Sequence, residues 1–440
     1  MRVTNHQITR IRGDFRPQKG SSAGSSARPE QEPGNGSLGN CGDAPTPPVV
    51  DEARASGKLR FSLLNTARKT LARYEVKSSI RTCGNSRPDM EADFDKERDE
   101  FRPRVPLLVS TDGTRLRYSG LQNCGSPRCP RCAPVRGVQL SERVGAVLES
   151  VRAKGFHVQF VTLTARHTIR TRLAEMRAVL GDVYRRSWDG KGMARLKREG
   201  LLGGVRVWET TDGPKTGWHL HAHVLVISET AENCEESAQH LKSRWVDLLA
   251  KRGWKSSLKV QDSRPVTEGF KQLGAYGSED MKGWGVAAEM AAGWVKSGRR
   301  PDRLSVPELL ALAHVGDEWA ARRYAEAVDA LSGQRMFVLG PKLKKSLGLD
   351  QVQDLTEETE TPDLAPDDWR VLGLVDGVTW GEIGGMRRPA AALLIYRKGL
   401  KAGEPWPVVL SRLRKLRGFG SYSSVRVPVP FRTVGDPAKI

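Results

Sequence analysis

The sequence predicts an α+β fold in which helices cover an antiparallel sheet. Three observations carry this prediction: strand and helix patterns alternate roughly as βαββαβα over residues 157–276, a polar turn joins the two middle strands, and the helices are amphipathic. An alternation of this kind is typical of a split βαβ architecture with the helices packed on one face of the sheet. The sequence therefore places its candidate site on a central antiparallel sheet.

Hydrophobic periodicity defines the elements of this core in chain order. The predicted elements are a helix over Val135–Lys154, a strand over His157–Thr164, a mostly helical stretch over Ile169–Glu199 with an interruption at Gly190, strands over Gly203–Thr210 and Trp218–Ser228, a helix over Glu232–Arg252, a strand over Leu258–Gln261 and a helical start over Thr267–Tyr276. The turn Thr211–Pro214 contains Asp, Gly and Pro, so the two middle strands are predicted to form a hairpin.

Composition divides the rest of the chain. Residues 1–57 are rich in Gly, Ser and Pro and contain few large apolar side chains, which predicts a disordered tail. The predicted units are then a cysteine-containing module at 58–135, a central domain at 136–300, a helical extension at 301–353, an acidic linker at 354–368 and a small C-terminal region at 369–440. No function is assigned to that last region.

The chain is strongly basic. It has 71 Lys and Arg residues against 51 Asp and Glu residues, a formal charge of +20 and a pI near 9.9. Counterion release favours a polyanionic partner, with nucleic acid ahead of an anionic membrane surface. No run approaches the ~18 apolar residues of a spanning helix, mean hydropathy is −0.48, and no signal peptide is recognisable. A cytoplasmic protein without membrane association is expected.

Three of the eight histidines occupy alternate positions of one predicted strand. Because side chains alternate across a strand, His219, His221 and His223 share one face. Imidazole is the commonest protein metal ligand, so this cluster predicts a metal site in preference to packed histidines. Glu209 ends the preceding strand, and a hairpin would bring its carboxylate near His221. Either a third ligand or a solvated turn acid is consistent with that position.

Two histidines and one carboxylate suit a divalent ion that keeps open positions for phosphate oxygens. Mg²⁺ or Mn²⁺ is the expected ion. The same ligand set also suits mononuclear iron, but the basic charge of the chain argues against an oxygenase.

A second candidate metal site is formed by cysteines. Cys124, Cys129 and Cys132 fall within nine positions, and Cys83 is the best candidate for a fourth ligand. Six cysteines in 440 residues are too few for a disulfide scaffold. Four thiolates match structural zinc, which the sequence predicts here; unligated buried cysteines are the alternative. The other two cysteines have no assigned role.

The histidine strand resembles a known signature. The segment His221-Ala222-His223, followed by Val224-Leu225-Val226, is similar to the His-hydrophobic-His motif of HUH endonucleases. Its longer form, which begins at Gly217-Trp218-His219, resembles the replication initiators of rolling-circle plasmids of the actinobacterial type. In this resemblance His221 and His223 are the metal ligands, and His219 is an extra neighbour.

Further segments carry the same resemblance. Phe160–Thr164 is similar to the first motif of the family, a strand beside the histidine strand, and the spacing of the four cysteines is also shared. The likeness runs from about Cys83 to Gly348. It implies an HUH core with a central ferredoxin-like or RRM-like antiparallel sheet, a small zinc-binding module and helical additions.

The resemblance also implies a nucleophile. HUH enzymes use a tyrosine downstream of the histidines, and Leu273-Gly274-Ala275-Tyr276 resembles the motif that carries it, so Tyr276 is the expected nucleophile. The family usually has a lysine three residues later, where this chain has Glu279. Either Lys282 replaces that lysine or Glu279 helps to activate water or the terminating hydroxyl. Tyr184 and Tyr324 are the competing tyrosines.

The implied function is initiation of rolling-circle replication. The family nicks one strand of the plasmid origin, forms a 5′-phosphotyrosine link, and leaves a 3′-hydroxyl that the host polymerase extends with the host helicase. Duplex and single-stranded origin DNA are therefore the expected partners. The alternatives are a conjugative relaxase or single-strand transposase with the same chemistry, and a non-enzymatic, zinc-containing DNA-binding regulator.

Overall fold

The protein has an α+β fold built on antiparallel sheets. The structure, a computed structural model, describes residues 50–87, 90–96, 99–111, 116–266, 303–355, 369–385, 395–396, 398–399 and 402–414. Within these residues there are sheets of two, three and five strands, and every strand pair is antiparallel. The predicted fold class is confirmed at this level.

The described residues of the N-terminal part include one α-helix and four short strands. These are α1 (Val50–Arg73), β1 (Ala92–Asp95), β2 (Glu100–Pro103), β3 (Val105–Ser110) and β4 (Leu116–Tyr118). The helix begins inside the stretch 1–57 for which the sequence predicts a disordered tail, and residues 1–49 lie outside the described residues. Leu63, Leu64 and Leu71 of α1 are buried in the main core, which accounts for the ordering of this helix.

The central part follows the predicted alternation closely. It consists of α2 (Ala133–Ala153), β5 (His157–Leu163), α3 (Leu173–Ser187), α4 (Lys191–Arg198), β6 (Leu201–Gly213), β7 (Gly217–Ser228), α5 (Ala231–Lys251) and β8 (Asp262–Pro265). Gly190 separates α3 from α4 with a φ of 97°, a region that glycine enters without steric cost. Thr230 caps α5 by accepting a hydrogen bond from the Asn233 amide.

The five-stranded sheet has the order β8-β5-β7-β6-β9, where β9 spans Leu304–Ser305. The histidine strand β7 is therefore central, between β5 and β6. Two further helices follow β9, namely α6 (Val306–His314) and α7 (Glu318–Ala330), and α8 (Pro341–Leu347) comes next. Ser305 and Glu308 form a capping box at the start of α6.

Helices cover both faces of this sheet, so the prediction of helices on one face is wrong. On one face Leu220, Ala222 and Val224 of β7 pack with apolar residues of α3, α5, α6 and α7. On the other face Leu225 and Ile227 pack with apolar residues of α2 and α8. The physical reason is the uninterrupted apolar run at the end of β7, which is buried on both sides instead of alternating with polar residues.

The strand predicted at Leu258–Gln261 is also wrong by a few residues. Leu258–Val260 forms a short 3₁₀ turn whose two apolar side chains are exposed, and β8 begins at Asp262. Gln261 explains the delay, because its side chain accepts a hydrogen bond from the Thr164 amide (2.8 Å) and donates one to the Ser257 carbonyl (3.0 Å). The alternating pattern at Leu258–Gln261 therefore does not mark a strand, because the Gln261 side chain hydrogen-bonds to the backbone of neighbouring segments.

The C-terminal region joins the N-terminal part of the chain. It contains β10 (Trp369–Val375), α9 (Gly377–Gly385) and α10 (Trp406–Arg414), and β10 pairs with β3 to give a sheet of order β10-β3-β4. The rings of Tyr118 and Trp380 pack at a tilt of 59° with centroids 4.6 Å apart in the shared apolar cluster. Residues 356–368, most of the predicted linker, lie outside the described residues. The division of the chain into domains remains a prediction.

No helix in the described part of the chain is long and apolar enough to cross a membrane.

Candidate metal centre

The histidine face of β7 meets an acidic residue of β6. In the hairpin register Glu209 is directly opposite His221, Thr211 is opposite His219 and Val207 is opposite His223. Directly opposed residues of an antiparallel pair project to the same face with Cβ atoms about 5 Å apart. The pairing therefore brings the Glu209 carboxylate to the imidazoles, as the sequence predicts.

Three ligand-type atoms converge at this point. The Nε2 atoms of His221 and His223 are 3.1 Å apart, and Glu209 Oε2 lies 3.2 Å from the first and 2.9 Å from the second. All three side chains are at least partly buried. Each of these three atoms has a lone pair that can point toward a cation. The cluster is therefore compatible with metal binding.

Neighbouring side chains orient this group. Thr162 on β5 has its hydroxyl 3.2 Å from His223 Nδ1, the ring nitrogen that faces away from Glu209. Phe160 stacks on the His223 ring with centroids 5.1 Å apart. Second contacts of this kind fix the tautomer and orientation of a metal-binding histidine.

Glu209 is ionised at neutral pH. Burial alone would raise the pKa of its carboxyl, but hydrogen bonds with His221 and His223 hold that pKa well below its usual range. A buried carboxylate beside two imidazoles supplies negative charge that would offset part of a divalent cation's charge.

His219 lies next to this group but turns toward a different partner. Its Nδ1 is 3.0 Å from Nε2 of His167, and His167 Nδ1 is 3.1 Å from the Thr216 carbonyl oxygen. Because a carbonyl only accepts, His167 must donate from Nδ1 and accept from His219, which leaves His219 Nε2 without a hydrogen. Burial first, and then the charges of His221 and Arg303, lower the pKa of His219 to about 2.

His167 is not predicted as a site residue by the sequence pattern. It stands four positions after the end of β5, outside the period-two pattern that identifies the other histidines. The sequence feature that could have identified it is its position just after β5, the strand that flanks β7. Antiparallel pairing brings the end of β5, Leu163, opposite Ala222 of the histidine strand.

A buried ion pair holds the hairpin that carries the site. Arg323 on α7 donates to both carboxylate oxygens of the fully buried Asp212, one of them at 2.9 Å, and also to Glu326 at 2.6 Å. Its guanidinium lies 4.3 Å from the ring centroid of Trp218, the residue before His219. Bidentate geometry and stacking make this contact specific for arginine.

The cysteine cluster is compact. Sγ atoms are 3.6 Å apart for Cys83 and Cys132, 3.7 Å for Cys124 and Cys132, and 3.5 Å for Cys129 and Cys83. A disulfide requires about 2.05 Å, whereas tetrahedral zinc with Zn–S of about 2.3 Å places its sulfurs about 3.8 Å apart. The four thiols are therefore free and arranged compatibly with a metal ion.

The four thiols shift one another's pKa in opposite directions: burial, with hydrogen bonds to the other thiols, raises the pKa of Cys129, whereas the pKa of Cys83 is lowered. Hydrogen bonds from Cys124 first, and then from Cys129 and Cys132, lower the pKa of Cys83 despite its burial. Arg68 donates to the Cys83 carbonyl, and Tyr324 of α7 donates its hydroxyl hydrogen to the Arg128 carbonyl (3.0 Å). The cluster thus links α1, the start of α2 and α7.

The part of the chain that carries the histidine–glutamate triad and three of the four clustered cysteines matches a known family. A family model described as Rep_1, replication protein, matches residues 115–374, which is more than half of the chain. The chain belongs to the Rep_1 replication protein family. The antiparallel sheet and its paired histidines are consistent with the HUH superfamily.

Two relatives of the Rep_1 chain come from Streptomyces. A protein named Protein rep from Streptomyces lividans is 25% identical over 303 residues, which cover 52% of this chain and 65% of that protein. A protein named Neomycin resistance protein from Streptomyces cyanogenus is 28% identical over 134 residues, 24% of this chain and 31% of that protein. The chain thus spans less than two thirds of either relative. No solved structure is matched with significance.

The Rep_1 match includes most of the candidate residues. Glu209, the histidines of β7 and three of the four cysteines lie inside it, whereas Cys83 lies before its first residue. The predicted nucleophile Tyr276 and the residues Glu279 and Lys282 also lie inside the match, but they fall outside the described residues. Their roles remain predictions.

The two competing tyrosines have other partners. Tyr324 is fully buried and bonded to backbone, and Tyr184 is 9% exposed and faces the Arg206 side chain at 4.8 Å. Burial raises the pKa of both phenols, to about 12 for Tyr184. Neither phenol is placed to act as an accessible nucleophile.

Gly217 opens the histidine strand at a position where a side chain has no room. Its φ is 74°, and a Cβ atom would lie 2.7 Å from Ile169 Cα and 2.9 Å from the Thr168 carbonyl oxygen. Gly217→Ala is expected to lower the free energy of unfolding by about 1–2 kcal/mol from backbone strain and by a further 1–3 kcal/mol, roughly, from the clash. Denaturant unfolding measures the loss.

Gly253→Ala is the matched control for this prediction. Gly253 has a φ of 75°, but nothing lies within 4 Å of its would-be Cβ. The two variants share the backbone strain and differ in the steric clash. Equal destabilisation of both would contradict close packing between residues 168–169 and the histidine strand.

Proposed function

We propose that this Rep_1 protein initiates rolling-circle replication of a plasmid by nicking one strand of the origin and later rejoining strands. The observation that carries the proposal is the convergence of His221, His223 and Glu209 within 3.2 Å of one another on the central sheet. The formal charge of +20 supports binding of duplex and single-stranded origin DNA in the cytoplasm.

Mg²⁺ or Mn²⁺ is the proposed ion at this triad, because two histidines and one carboxylate leave open positions for phosphate oxygens. An octahedral ion with ligands at about 2.1 Å would place neighbouring ligand atoms about 3.0 Å apart. The observed separations are 2.9, 3.1 and 3.2 Å. Non-haem iron has similar geometry, but membership of a replication family favours phosphate chemistry over oxygen chemistry.

Each side chain at the triad has a separate role in the proposed reaction. His221, His223 and Glu209 would hold a divalent ion, and that ion would supply Lewis-acid polarisation of the scissile phosphate. Glu209 contributes a permanent negative charge, and Thr162 and Phe160 keep the His223 ring in position. His219, with His167 behind it, presents a neutral ring nitrogen beside the triad, which suits a hydrogen bond from a bound hydroxyl group.

Tyr276 is the proposed nucleophile. Its phenolic oxygen forms a bond to phosphorus while the bond to the 3′ oxygen breaks, so that a 5′-phosphotyrosine and a 3′-hydroxyl result. The phenol loses its proton and the leaving 3′ oxygen gains one. Lys282 is the proposed replacement for the family's lysine, or Glu279 instead helps to activate water or the terminating hydroxyl. One phosphodiester replaces another, so no nucleotide cofactor is required. Host polymerase and helicase would then extend and unwind from the 3′-hydroxyl.

A covalent-adduct experiment tests this function. Wild type, Tyr276→Phe and Tyr184→Phe are incubated with a labelled single strand of the cognate origin, either with added Mn²⁺ or without added divalent ion, and separated by denaturing electrophoresis. Label at protein size is expected for wild type and Tyr184→Phe with Mn²⁺ alone, and not for Tyr276→Phe. Nicking that survives in Tyr276→Phe would refute this nucleophile.

The same experiment separates the alternatives. DNA binding without any cleavage by wild type would favour a zinc-containing regulator over an enzyme. Cleavage of a transfer origin or a transposon end in preference to a replication origin would favour a relaxase or a transposase.

A further inference from the structure

Arg264 lies on the same face of the five-stranded sheet as the metal triad. On β8 it is directly opposite Phe160 of β5. Thr162, two residues after Phe160, is directly opposite His223 of β7. Directly opposed residues of an antiparallel pair project to the same face, and so do residues two apart on one strand. The Arg264 side chain therefore projects to the face that carries the triad.

Phe160 contacts both this cation and a histidine of the triad. The guanidinium carbon of Arg264 lies 5.2 Å from the Phe160 ring centroid. The imidazole of His223 stacks on the same ring, with centroids 5.1 Å apart and planes 19° apart. Contact with an aromatic ring restrains the guanidinium group and so directs its hydrogen-bond donors. Because β8 is two strands from β7, Arg264 is held about 10 Å across the sheet from the histidine strand.

The β8 edge of this face is basic and accessible. Within the described residues β8 is the outermost strand of its sheet, and Arg264 is half-buried, so part of its side chain is open to solvent. Residues 251–266 contain five Lys or Arg residues and one acid, Asp262. Lys255 and Lys259, which precede β8, are exposed. A polyanion that crosses this edge would therefore meet mainly positive charge, and its binding would release counterions.

We propose that Arg264 binds a backbone phosphate of the DNA strand whose scissile phosphate lies at the triad. The strand then extends from the triad over the β8 edge, and the phosphate at Arg264 flanks the scissile one. A guanidinium group suits this ligand because its parallel N–H groups can donate to two phosphate oxygens. The contact reads no bases, so its contribution is the same for any sequence. The inference rests on the proposed function for the identity of the strand.

Single-strand binding without added divalent ion tests the proposal. The affinity of a labelled origin strand is measured at several salt concentrations for wild type, Arg264→Gln and Arg264→Lys, and denaturing electrophoresis verifies that the strand stays intact. Arg264→Gln is expected to bind about tenfold more weakly. Its slope of log affinity against log salt should be smaller in magnitude by about 0.7, the value for one phosphate contact on a single strand. Arg264→Lys keeps the charge, so its slope should equal that of wild type even if its affinity is lower.

Arg206→Gln is the matched control. Arg206 also lies against aromatic rings, 4.8 Å from the Tyr184 centroid and 5.0 Å from that of Trp208. Its register opposite Val224 places it on the other face of the sheet, where Val224 is part of the buried core. The control removes the same charge and a similar ring contact, but its salt slope should equal that of wild type. An equal loss of slope in Arg206→Gln and Arg264→Gln, or no loss in Arg264→Gln, would overturn the proposal.

Asp262 supplies a test with the opposite sign. It is directly opposite Thr162, so it projects to the same face, and it is exposed. Its negative charge would repel a phosphate at this edge, so Asp262→Asn should bind the strand at least as tightly as wild type. Thermal unfolding checks that each variant is folded. Weaker binding by folded Asp262→Asn would contradict a strand that crosses β8.

Neutral phosphate analogues locate the contact on the strand. Single phosphates along the origin strand are replaced in turn by uncharged methylphosphonates, and each strand is titrated with wild type and with Arg264→Gln. At one position, which should flank the nick, the replacement is expected to weaken wild type about tenfold and to leave Arg264→Gln unchanged, because that variant has already lost the contact. Equal losses for the two proteins at every position would refute the contact. A wild type that shows this position but never nicks with Mn²⁺ would refute the proposed function and leave the phosphate site standing.

Discussion

Glu209→Gln is expected to weaken divalent-ion binding by at least about a hundredfold. Mutation of a residue that only hydrogen-bonds to a metal ligand already lowers metal affinity by roughly 10–100-fold, and Glu209 is a proposed ligand itself. The substitution preserves the size of the side chain and removes its negative charge. The carboxylate also lies 2.9 Å from His223 Nε2 and 3.2 Å from His221 Nε2, so it is the group that closes the triad. Mn²⁺ titration by calorimetry measures the affinity, and adduct formation should fall with it.

Glu229→Gln is the control for this change. Glu229 is an exposed acid just beyond the end of β7, so it alters the charge equally without touching the triad. Its Mn²⁺ affinity and its adduct yield should equal those of wild type. If Glu209→Gln bound Mn²⁺ as tightly as Glu229→Gln, the triad would not be the metal site.

Cys129→Ala is expected to abolish zinc retention and to lower the free energy of unfolding by at least about 3 kcal/mol. The reason is that the binding of a structural zinc ion by its cysteine ligands contributes directly to the free energy of folding. Cys129 is fully buried, and its cluster joins α1 to α2 and α7. Wild type should hold one zinc per chain by elemental analysis. A chelator should destabilise wild type and leave the variant unchanged.

Cys234→Ala provides the comparison. Cys234 is 1% exposed and donates from Sγ to the Val226 carbonyl (3.2 Å), but it lies outside the cluster. Both variants lose a buried thiol, whereas only one loses a ligand. Equal stability of the two, together with the same zinc content, would refute a structural zinc at the four cysteines.

Local sequence is sufficient to predict that the histidines and Glu209 of the candidate site lie together. His219, His221 and His223 share a face because a strand has a period of two, which depends on no other part of the chain. The short polar turn after Glu209 implies a hairpin, and a hairpin register brings this carboxylate opposite His221. The cysteine trio is equally local, since its spacing lies within nine positions. Tyr276 was predicted through resemblance alone and remains a prediction.

Only the tertiary structure determines which distant segments of the chain pack against each other. The covering of the second face of the sheet by α2 and α8, the pairing of β10 with β3, and the ion pair between Arg323 and Asp212 each join residues far apart in the chain. His167 is near β5 in sequence, yet its place beside His219 depends on how its loop packs against Gly217. Periodicity reports which face of an element is apolar, but many partners can cover that face. The choice among them is made by packing and charge across the whole chain.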